Sequence, residues 1–255
     1  MLLFGAFFVV AADTVTAAQD DNYTYTVNED VATITGYTGV GGAITIPSTL
    51  GGHATVAIGD GAFERCTNLT SISIPGGVTS IGISAFYSCS SMTSVTIGNG
   101  VITIGHDAFS QCVNLTSITI PNNVTSIEDQ VFQGCTSMTS VIIGSGVTTI
   151  GNYSFADCAN LTSITFLGMV APTTVGADWI ALSGAGIEGH AYAASNFPSS
   201  GGVFNGLRMG TVIADNSDGK SNTSTQSAWM AMVLVLVALL ILVVLLVMRR
   251  RKAKK

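Results

Sequence analysis

Five cysteines are the residues of this chain with the widest chemical range, because a thiol can form a disulfide, bind a metal or act as a nucleophile. They recur at intervals of 23 residues and are the only cysteines present: Cys66, Cys89, Cys112, Cys135 and Cys158. An odd count at equal spacing argues against a disulfide framework, and no Cys-x-x-Cys pair suggests a zinc site. We therefore expect free, buried thiols that pack as small apolar groups.

Nothing in the residue pattern predicts catalysis. His53, His106 and His190 lie in unrelated contexts, and no serine, histidine and acid are grouped as in a nucleophilic triad. Gly105 follows Gly98-Asn99-Gly100 too late for a dinucleotide-binding loop, and no helical pattern comes after it. The sequence predicts a protein that is not an enzyme and needs no metal or cofactor, with a site assembled from distant segments as the open alternative.

Small hydroxyl side chains are the candidate binding residues. They form two rows with the same interval, namely Ser71, Ser94, Ser117, Ser140 and Ser163, with Ser73, Thr96, Thr119 and Thr165 two places on. Such a face would be flat and uncharged, suited to weak multivalent contact with a protein or glycan but poor in Trp, Tyr and Arg anchors. Small hydroxyls are also common on strand surfaces that bind nothing, so both interpretations are open. An ice-binding row is a third, which Ile142 disfavours by interrupting the second row.

The elements that position these residues follow from the same period. Phenylalanine recurs at Phe63, Phe86, Phe109, Phe132 and Phe155, and five further apolar columns keep step with it, up to Phe166 and Val170. About seven apolar side chains per 23 residues are too few to enclose a core, so the units must stack as a solenoid. After Phe166 we expect the period to be lost.

Each unit divides into two predicted strands and a turn. The Leu-x-x-Ile-x-Ile segment, as in residues 69–74, has the period-two, β-branched character of a strand. The Val-x-x-Ile segment predicts a second short strand, and Ala-Phe-x-x-Cys predicts a tight or helical turn. Pro75 and Pro121 end the first strand in alternate units, where Gly98 and Gly144 stand in the others.

The repeat, Ala-Phe-x-x-Cys-x-x-Leu-x-x-Ile-x-Ile-Pro-x-x-Val-x-x-Ile-Gly, resembles the BspA-like branch of the leucine-rich-repeat superfamily over its five copies in residues 61–166. Residues 19–60 resemble the N-terminal cap and first irregular repeat of that family. The resemblance implies a mainly β, right-handed leucine-rich-repeat solenoid with N- and C-terminal caps, placed on a microbial surface for adhesion or protein recognition. Residues 167–213 would be the C-terminal capping module, with a small ligand-binding module as the alternative.

Two apolar segments predict where the protein lies. Residues 228–248 form an uncharged apolar run long enough to cross a bilayer as one C-terminal transmembrane helix. The basic tail, residues 249–255, predicts a cytoplasmic C-terminus. Residues 1–18 have the apolar stretch and small residues of a signal peptide, although no Lys or Arg precedes the stretch and a buried strand is the alternative. Residues 214–227 predict a polar stalk.

Charge and sequons narrow the choice of partners. Before Arg249, three cations stand against all 15 acidic residues, a formal net charge of −12, which argues against nucleic acid as a partner. Of seven Asn-x-Ser/Thr sequons, Asn22 and Asn222 lie in open segments and are the candidate glycosylation sites. Three others belong to the repeat, where an inward orientation is open: Asn68, Asn114 and Asn160.

These observations together predict a single-pass plasma-membrane protein whose bulk is extracellular and whose N-terminus lies outside. Its strand face would mediate adhesion or the recognition of an extracellular protein or glycan. The competing prediction is a structural surface-coat or spacer protein without a specific ligand.

Overall fold

The computed structural model describes residues 16–213, in which every regular element is a β-strand. The chain opens with an antiparallel meander of β1 (Thr16–Asp20), β2 (Tyr23–Asn28) and β3 (Val31–Tyr37). Alternate side chains of β2 and β3 are buried, as expected for strands with one face on a core. This meander covers the first end of the interior.

Two stacks of parallel strands run through the repeats. The first, which we call the first sheet, contains β4 (Gly42–Thr45), β7 (Leu69–Ile74), β9 (Ser94–Ile97), β11 (Ser117–Ile120), β13 (Ser140–Ile143) and β15 (Ser163–Phe166). Its strand pairing is interrupted between β9 and β11, where Thr116 N donates to Thr93 O at 3.3 Å. The second continues from β3 through β6 (His53–Ile58), with β5 (Thr49–Leu50) antiparallel to β6, and then β8 (Ser80–Ile81), β10 (Thr103–Ile104), β12 (Ser126–Ile127), β14 (Thr149–Ile150) and β16 (Thr174–Val175). Both predicted strands of the repeat are confirmed.

The register between successive coils equals the sequence period. Ser117 lies opposite Ser140 and Ser140 opposite Ser163 in the first sheet, while Ile104 lies opposite Ile127 in the second. Equivalent residues therefore stack directly on one another. This register is what converts a repeat in the sequence into columns in space.

The phenylalanine column forms a continuous ladder of stacked rings. Centroids of successive rings lie 5.0, 5.0, 5.5 and 5.2 Å apart, with interplanar angles between 7° and 19°. Tyr37 stacks on Phe63 at one end, and Trp179 meets Phe155 edge-on at the other. Burying each ring stabilises the fold by about 1.5–3 kcal/mol before ordering entropy, so the column binds each coil to its neighbours.

The third side of each coil is a turn segment, which we define as residues 59–66 and their equivalents in later coils. Two residues of each segment have positive φ, in the left-handed region that favours glycine. One column of them comprises Arg65, Ser88, Gln111, Gly134 and Asp157, and the other comprises Gly61, Ser84, Asp107, Gln130 and Tyr153. The segments pair through backbone hydrogen bonds, such as Phe86 N to Ala108 O at 2.8 Å. The predicted turn is therefore a tight turn and not a helical one.

Close contact between coils accounts for the alternation of proline and glycine. A Cβ atom at Gly98 would lie 2.6 Å from the carbonyl carbon of Pro75, and one at Gly144 would lie 2.5 Å from the carbonyl oxygen of Pro121. Real Cβ atoms do not approach backbone so closely, so only glycine fits against the preceding proline coil. The repeating pair of coils is thus a steric unit.

The coil after Phe166 continues both sheets, although the 23-residue period ends there, as expected. Thr174 pairs with Thr149 and Glu188 with Ser163, steps of 25 residues in place of 23. The two additional residues lie between Phe166 and Thr174. They place Pro172, which is buried, where Val147 stands in the preceding coil, and they leave Val170 63% exposed, so its assignment to an apolar column was wrong.

Three short strands complete the terminal segment. β17 (Glu188–His190) pairs parallel with β15, and β19 (Leu207–Met209) pairs parallel with β17. β18 (Val203–Phe204) returns antiparallel to β19 as a hairpin. Phe204 packs edge-on against Phe166, so the hairpin covers the last coil of the interior.

Most of the segments predicted at the two ends of the chain lie outside residues 16–213. Within those residues no helix is long and apolar enough to cross a membrane. The predicted transmembrane helix, residues 228–248, the stalk, the basic tail and residues 1–15 of the signal peptide lie outside the described part. They remain predictions, as does the right-handed winding of the coil. Residues 16–18, the end of that peptide, belong to β1 and pair with β2, so cleavage after Ala18 would remove part of this strand.

Candidate binding face

The predicted hydroxyl residues lie together on one surface. We define the strand face as the outward side chains of β4, β7, β9, β11, β13, β15, β17 and β19. Its first row contains Ser71, Ser94, Ser117, Ser140 and Ser163, and its second contains Ser73, Thr96, Thr119 and Thr165. Neighbouring strands of a sheet lie about 4.8 Å apart, so each row presents a hydroxyl at nearly that spacing.

The hydroxyls of these two rows are not used to hold the coils together. A separate column of threonines has that role: Thr93 Oγ1 donates to Thr70 O at 3.1 Å, and Thr116 Oγ1 donates to Thr93 O at 3.2 Å. The column continues through Thr139 and Thr162. No side-chain hydrogen bond to another described residue involves the nine hydroxyls, so their donors and acceptors are available to a partner.

The exposure of the face varies along its length. The central hydroxyls Ser94, Thr96, Ser117 and Thr119 are exposed, whereas Ser71, Ser73, Ser140, Ser163 and Thr165 are half-buried. Ile142 is 37% exposed and interrupts the second row between Thr119 and Thr165. Among the nine predicted hydroxyls, those of the central coils are therefore the most accessible.

Sequence reasoning missed both ends of the strand face. Ala43 and Thr45 of β4 lie opposite Ser71 and Ser73, and their match to the strand motif was the available signal. At the other end, Glu188 continues the serine row and His190 continues the second row. Arg208 lies opposite Glu188. Only the register could reveal these residues, because Gly189 occupies the place of the apolar residue that marks the earlier strands.

Charge is segregated between the sides of the coil. The turn segments contain seven of the acidic residues, namely Asp60, Glu64, Asp107, Glu128, Asp129, Asp157 and Asp178. The strands of the first sheet contain only Glu188 and Arg208 as charged residues. A partner approaching the central strand face therefore meets no fixed charge.

The cysteines are free thiols, as predicted. Four are fully buried, but Cys66 in the first coil is only half-buried, which corrects the expectation of five equivalent positions. Cys89 Sγ donates to Phe63 O at 3.1 Å, and the later thiols repeat this bond. Burial raises the pKa of Cys89 and Cys158 to about 12, and it raises the pKa of Cys112 and Cys135 well above the ordinary value.

The three histidines have different hydrogen-bond partners. His53 Nδ1 lies 2.8 Å from Asp30 Oδ1, and His106 Nε2 lies 2.9 Å from Asp107 Oδ2. His190 Nδ1 lies 2.9 Å from Thr211 O. Among residues 16–213, no three His, Cys, Asp or Glu side chains are grouped so that they could hold a metal ion.

The sequons differ in whether the side-chain amide of the asparagine is hydrogen-bonded within the protein. Asn22 is exposed between β1 and β2, and Asn222 lies outside the described residues. Asn68, Asn114 and Asn160 are exposed, so an inward orientation is wrong. The Nδ2 amides of Asn114 and Asn160 donate to carbonyls of the preceding coil at 2.7 and 2.8 Å.

A small cavity lies in the terminal segment. It has a volume of about 140 Å³ and is lined by residues that include Tyr192, Phe197, Pro198 and Met209. Pockets that hold drug-sized ligands have volumes of about 300 Å³ or more. A second, more open concavity of about 460 Å³ lies beside Trp179 in the same segment, so the ligand-binding module stays a prediction.

Comparison with known proteins finds a match to the repeats. Residues 56–174 match the BspA type leucine rich repeat region in six copies, against the five predicted. These residues are therefore similar to BspA-type leucine-rich repeats. A search of curated proteins found no match to the chain.

Two solved structures align with this chain at a TM-score of 0.56 and share its fold. The leucine-rich repeat protein of T. pallidum aligns at 28% identity with a TM-score of 0.56, over 63% of this chain and 82% of that one. The pneumococcal vaccine antigen PcpA aligns at 21% identity with a TM-score of 0.56, over 68% of this chain and 49% of that one. A leucine rich cell surface protein from Faecalibacterium prausnitzii aligns at 32% identity with a TM-score of 0.41, over 61% and 56%.

Proposed function

We propose that this chain is a cell-surface recognition protein whose strand face binds a protein or glycan outside the cell. The observation that carries the proposal is that two sets of hydroxyls differ in their hydrogen bonds. Thr93, Thr116 and their equivalents bind the coils to each other, whereas the nine hydroxyls of the two rows make no such bonds. A surface of unused donors and acceptors, without charge, suits a partner that is itself rich in hydroxyl or amide groups.

The proposed location is the outer side of a plasma membrane. Its support is the sequence: a signal-like segment at residues 1–18, an apolar run at residues 228–248 and a basic tail at residues 249–255. The polar stalk, residues 214–227, would hold the solenoid away from the lipid. In cells that express the full chain with an epitope at each end, we expect antibody to reach only the N-terminal side of residue 228 before permeabilisation.

The proposed recognition is tested with the full chain in non-denaturing detergent, applied to an array of glycans and purified extracellular-matrix proteins. Thr119→Lys places a long charged side chain on the exposed centre of the strand face. Thr125→Lys makes the same change at an exposed position immediately before β12 of the second sheet in the same coil and is the matched control. We expect Thr119→Lys to abolish array binding and Thr125→Lys to preserve it.

Two results would contradict the proposal. Equal binding by the two variants would move the interaction away from the strand face. A full chain that binds nothing on the array would favour the alternative, a structural surface-coat or spacer protein.

A further inference from the structure

The charged end of the strand face differs from the rest of it. Across the strands of the first sheet, Glu188 and Arg208 are the only charged residues, and they lie directly opposite each other on adjacent strands. Both are exposed. They continue the row of Ser163, so a hydroxyl, a carboxylate and a guanidinium follow one another across three strands. At about 4.8 Å per strand, this row is roughly 10 Å long.

Neither charge is used within the described structure. The ion pairs among residues 16–213 are His53 with Asp30, Arg65 with Glu64 and His106 with Asp107. Although they are neighbours in register, Glu188 and Arg208 form no ion pair with each other. The guanidinium fork of Arg208 and the carboxylate of Glu188 are therefore both open to a ligand.

His190 adds a third polar group with a fixed orientation. Its Nδ1 lies 2.9 Å from Thr211 O, and because a carbonyl can only accept, Nδ1 must donate this bond. In the neutral ring, Nε2 is then left as an acceptor. Gly210 makes room for the group: a Cβ atom there would lie 2.6 Å from Glu188 Oε2 and 3.0 Å from His190 Cε1.

We infer that this cluster is the anchoring subsite of the strand face and that it binds a sugar carrying a carboxylate. Arg208 would hold the carboxylate through two parallel hydrogen bonds, the geometry for which a guanidinium is suited. Glu188 would accept hydrogen bonds from neighbouring sugar hydroxyls, and Ser163 and His190 would contact the flanks. The inference deepens the proposed function and rests on it.

The chemistry of the surroundings favours a sugar over a protein. Tight protein interfaces are anchored by buried aromatic or apolar side chains. Within the strands of the first sheet, the large apolar side chains that are exposed are Ile142 and Val203, and Val212 is exposed next to Thr211. A row of unused hydroxyls leading up to a single cation matches instead a chain of hydroxyls that ends in a single acid.

The test uses two probes that differ in one group. Methyl β-glucuronide has a carboxylate where methyl β-glucoside has a hydroxymethyl group, and the binding of each to the full chain in detergent is measured by saturation-transfer NMR titration. We expect the glucuronide to bind about tenfold more tightly than the glucoside, since only the glucuronide can form a hydrogen-bonded ion pair with Arg208. Arg208→Ala should remove the difference, and Arg208→Lys, which keeps the charge without the fork, should retain part of it.

The chain supplies its own control. Arg65 is the other arginine of residues 16–213 and lies in a turn segment, so Arg65→Ala should leave the affinity for the glucuronide unchanged. Glu188→Gln weakens the acceptor for sugar hydroxyls but also removes a negative charge beside the bound carboxylate, so it should weaken the glucoside more than the glucuronide. Equal affinities for the two sugars in the unaltered chain, or equal losses from Arg208→Ala and Arg65→Ala, would overturn the inference.

The outcome separates this inference from the proposed function. If Thr119→Lys abolishes array binding but the two sugars bind alike, the carboxylate subsite is wrong and the strand-face proposal stands. If the array partners that depend on Arg208 are proteins without glycans, the assignment to a sugar is wrong. If neither the array nor the sugars bind, both proposals fail together.

Discussion

The central coils and the terminal coil have the same backbone but different chemistry. In the central coils each interior position repeats, with a stacked phenylalanine and a buried thiol in every turn. In the terminal coil Trp179 meets the last phenylalanine edge-on, and Ser183 donates to Phe155 O where the preceding coils use a cysteine. On the outside, neutral hydroxyls give way to Glu188 and His190.

This difference separates what the coil requires from what it tolerates. A donor to the carbonyl of the preceding coil is needed at the cysteine position, and either a thiol or a hydroxyl supplies it. A large ring is needed at the end of the ladder, but its angle can change. The outer rows have no such requirement, so charge can appear there without disturbing the interior.

The largest predicted effect is the loss of the central coils at alkaline pH. Thiols whose pKa is raised on folding stabilise the protein below the ordinary pKa of about 9, and that stability is lost as pH rises towards the folded value of about 12. Each fully buried thiol contributes a slope of about 1.4 kcal/mol per pH unit in this window. Urea midpoints measured under reducing conditions between pH 8 and pH 11 should therefore fall steeply.

Two variants locate the alkaline effect in the central coils. Cys112→Ala should reduce the fall of the urea midpoint with pH by the contribution of one buried thiol. Cys66→Ala, at the half-buried position, should reduce it less. A urea midpoint that is unchanged up to pH 11 would show that the thiols titrate without unfolding the coils.

The second prediction concerns the ring ladder. Phe109 has a parallel ring on each side, at 5.0 and 5.5 Å, so Phe109→Ala should lower the free energy of unfolding by about 3–5 kcal/mol. Phe204→Ala, in the terminal hairpin, should cost less and leave the exchange of amides in the central coils unchanged. Equal costs in urea unfolding would mean that the hairpin is as integral as the ladder.

The ladder is also the part of the fold that the sequence predicted best. Equal spacing, apolar type and column number were sufficient to place the five phenylalanines, the thiols and both strands of each coil. The alternation of Gly98 with Pro75 was visible as a pattern, but its cause, the approach of one backbone to the next, needs coordinates.

The terminal coil could not be predicted in the same way. Two residues added between Phe166 and Thr174 displace the spacing on which the repeat is recognised. Val170 therefore keeps the 23-residue spacing, but Pro172 occupies the column. Glu188 and Arg208 lie 20 residues apart, and nothing in the sequence indicates that they are opposite each other on adjacent strands.

The third prediction tests the steric pairing of coils. Gly98→Ala should destabilise the protein by about 1–3 kcal/mol, because its Cβ would meet the backbone of Pro75 and Gly76. Gly76→Ala is the control, since a Cβ there has no atom within 4 Å and should be neutral or slightly stabilising. Thermal midpoints that move equally in both variants would refute the steric explanation.

The smallest effects should have opposite signs in the two regions. Ser154 Oγ is buried without a hydrogen-bond partner in the described structure, at a position where earlier coils have Ala85 and Ala108, so Ser154→Ala should stabilise the protein by about 1 kcal/mol. Ser183→Ala should destabilise it by a similar amount, because the bond to Phe155 O is lost. Changes of the same sign in urea unfolding would contradict this account.

The most direct test of the strand face as the recognition surface is a lysine scan of the full chain against its array partner. Lysine is placed in turn at Ser94, Ser117 and Ser140, and at the matched positions Thr103, Ser126 and Thr149 of the second sheet. We predict that each change on the strand face weakens binding at least tenfold and that none on the second sheet does. Binding that survives all three strand-face changes, or that is lost equally on both sheets, would contradict the account.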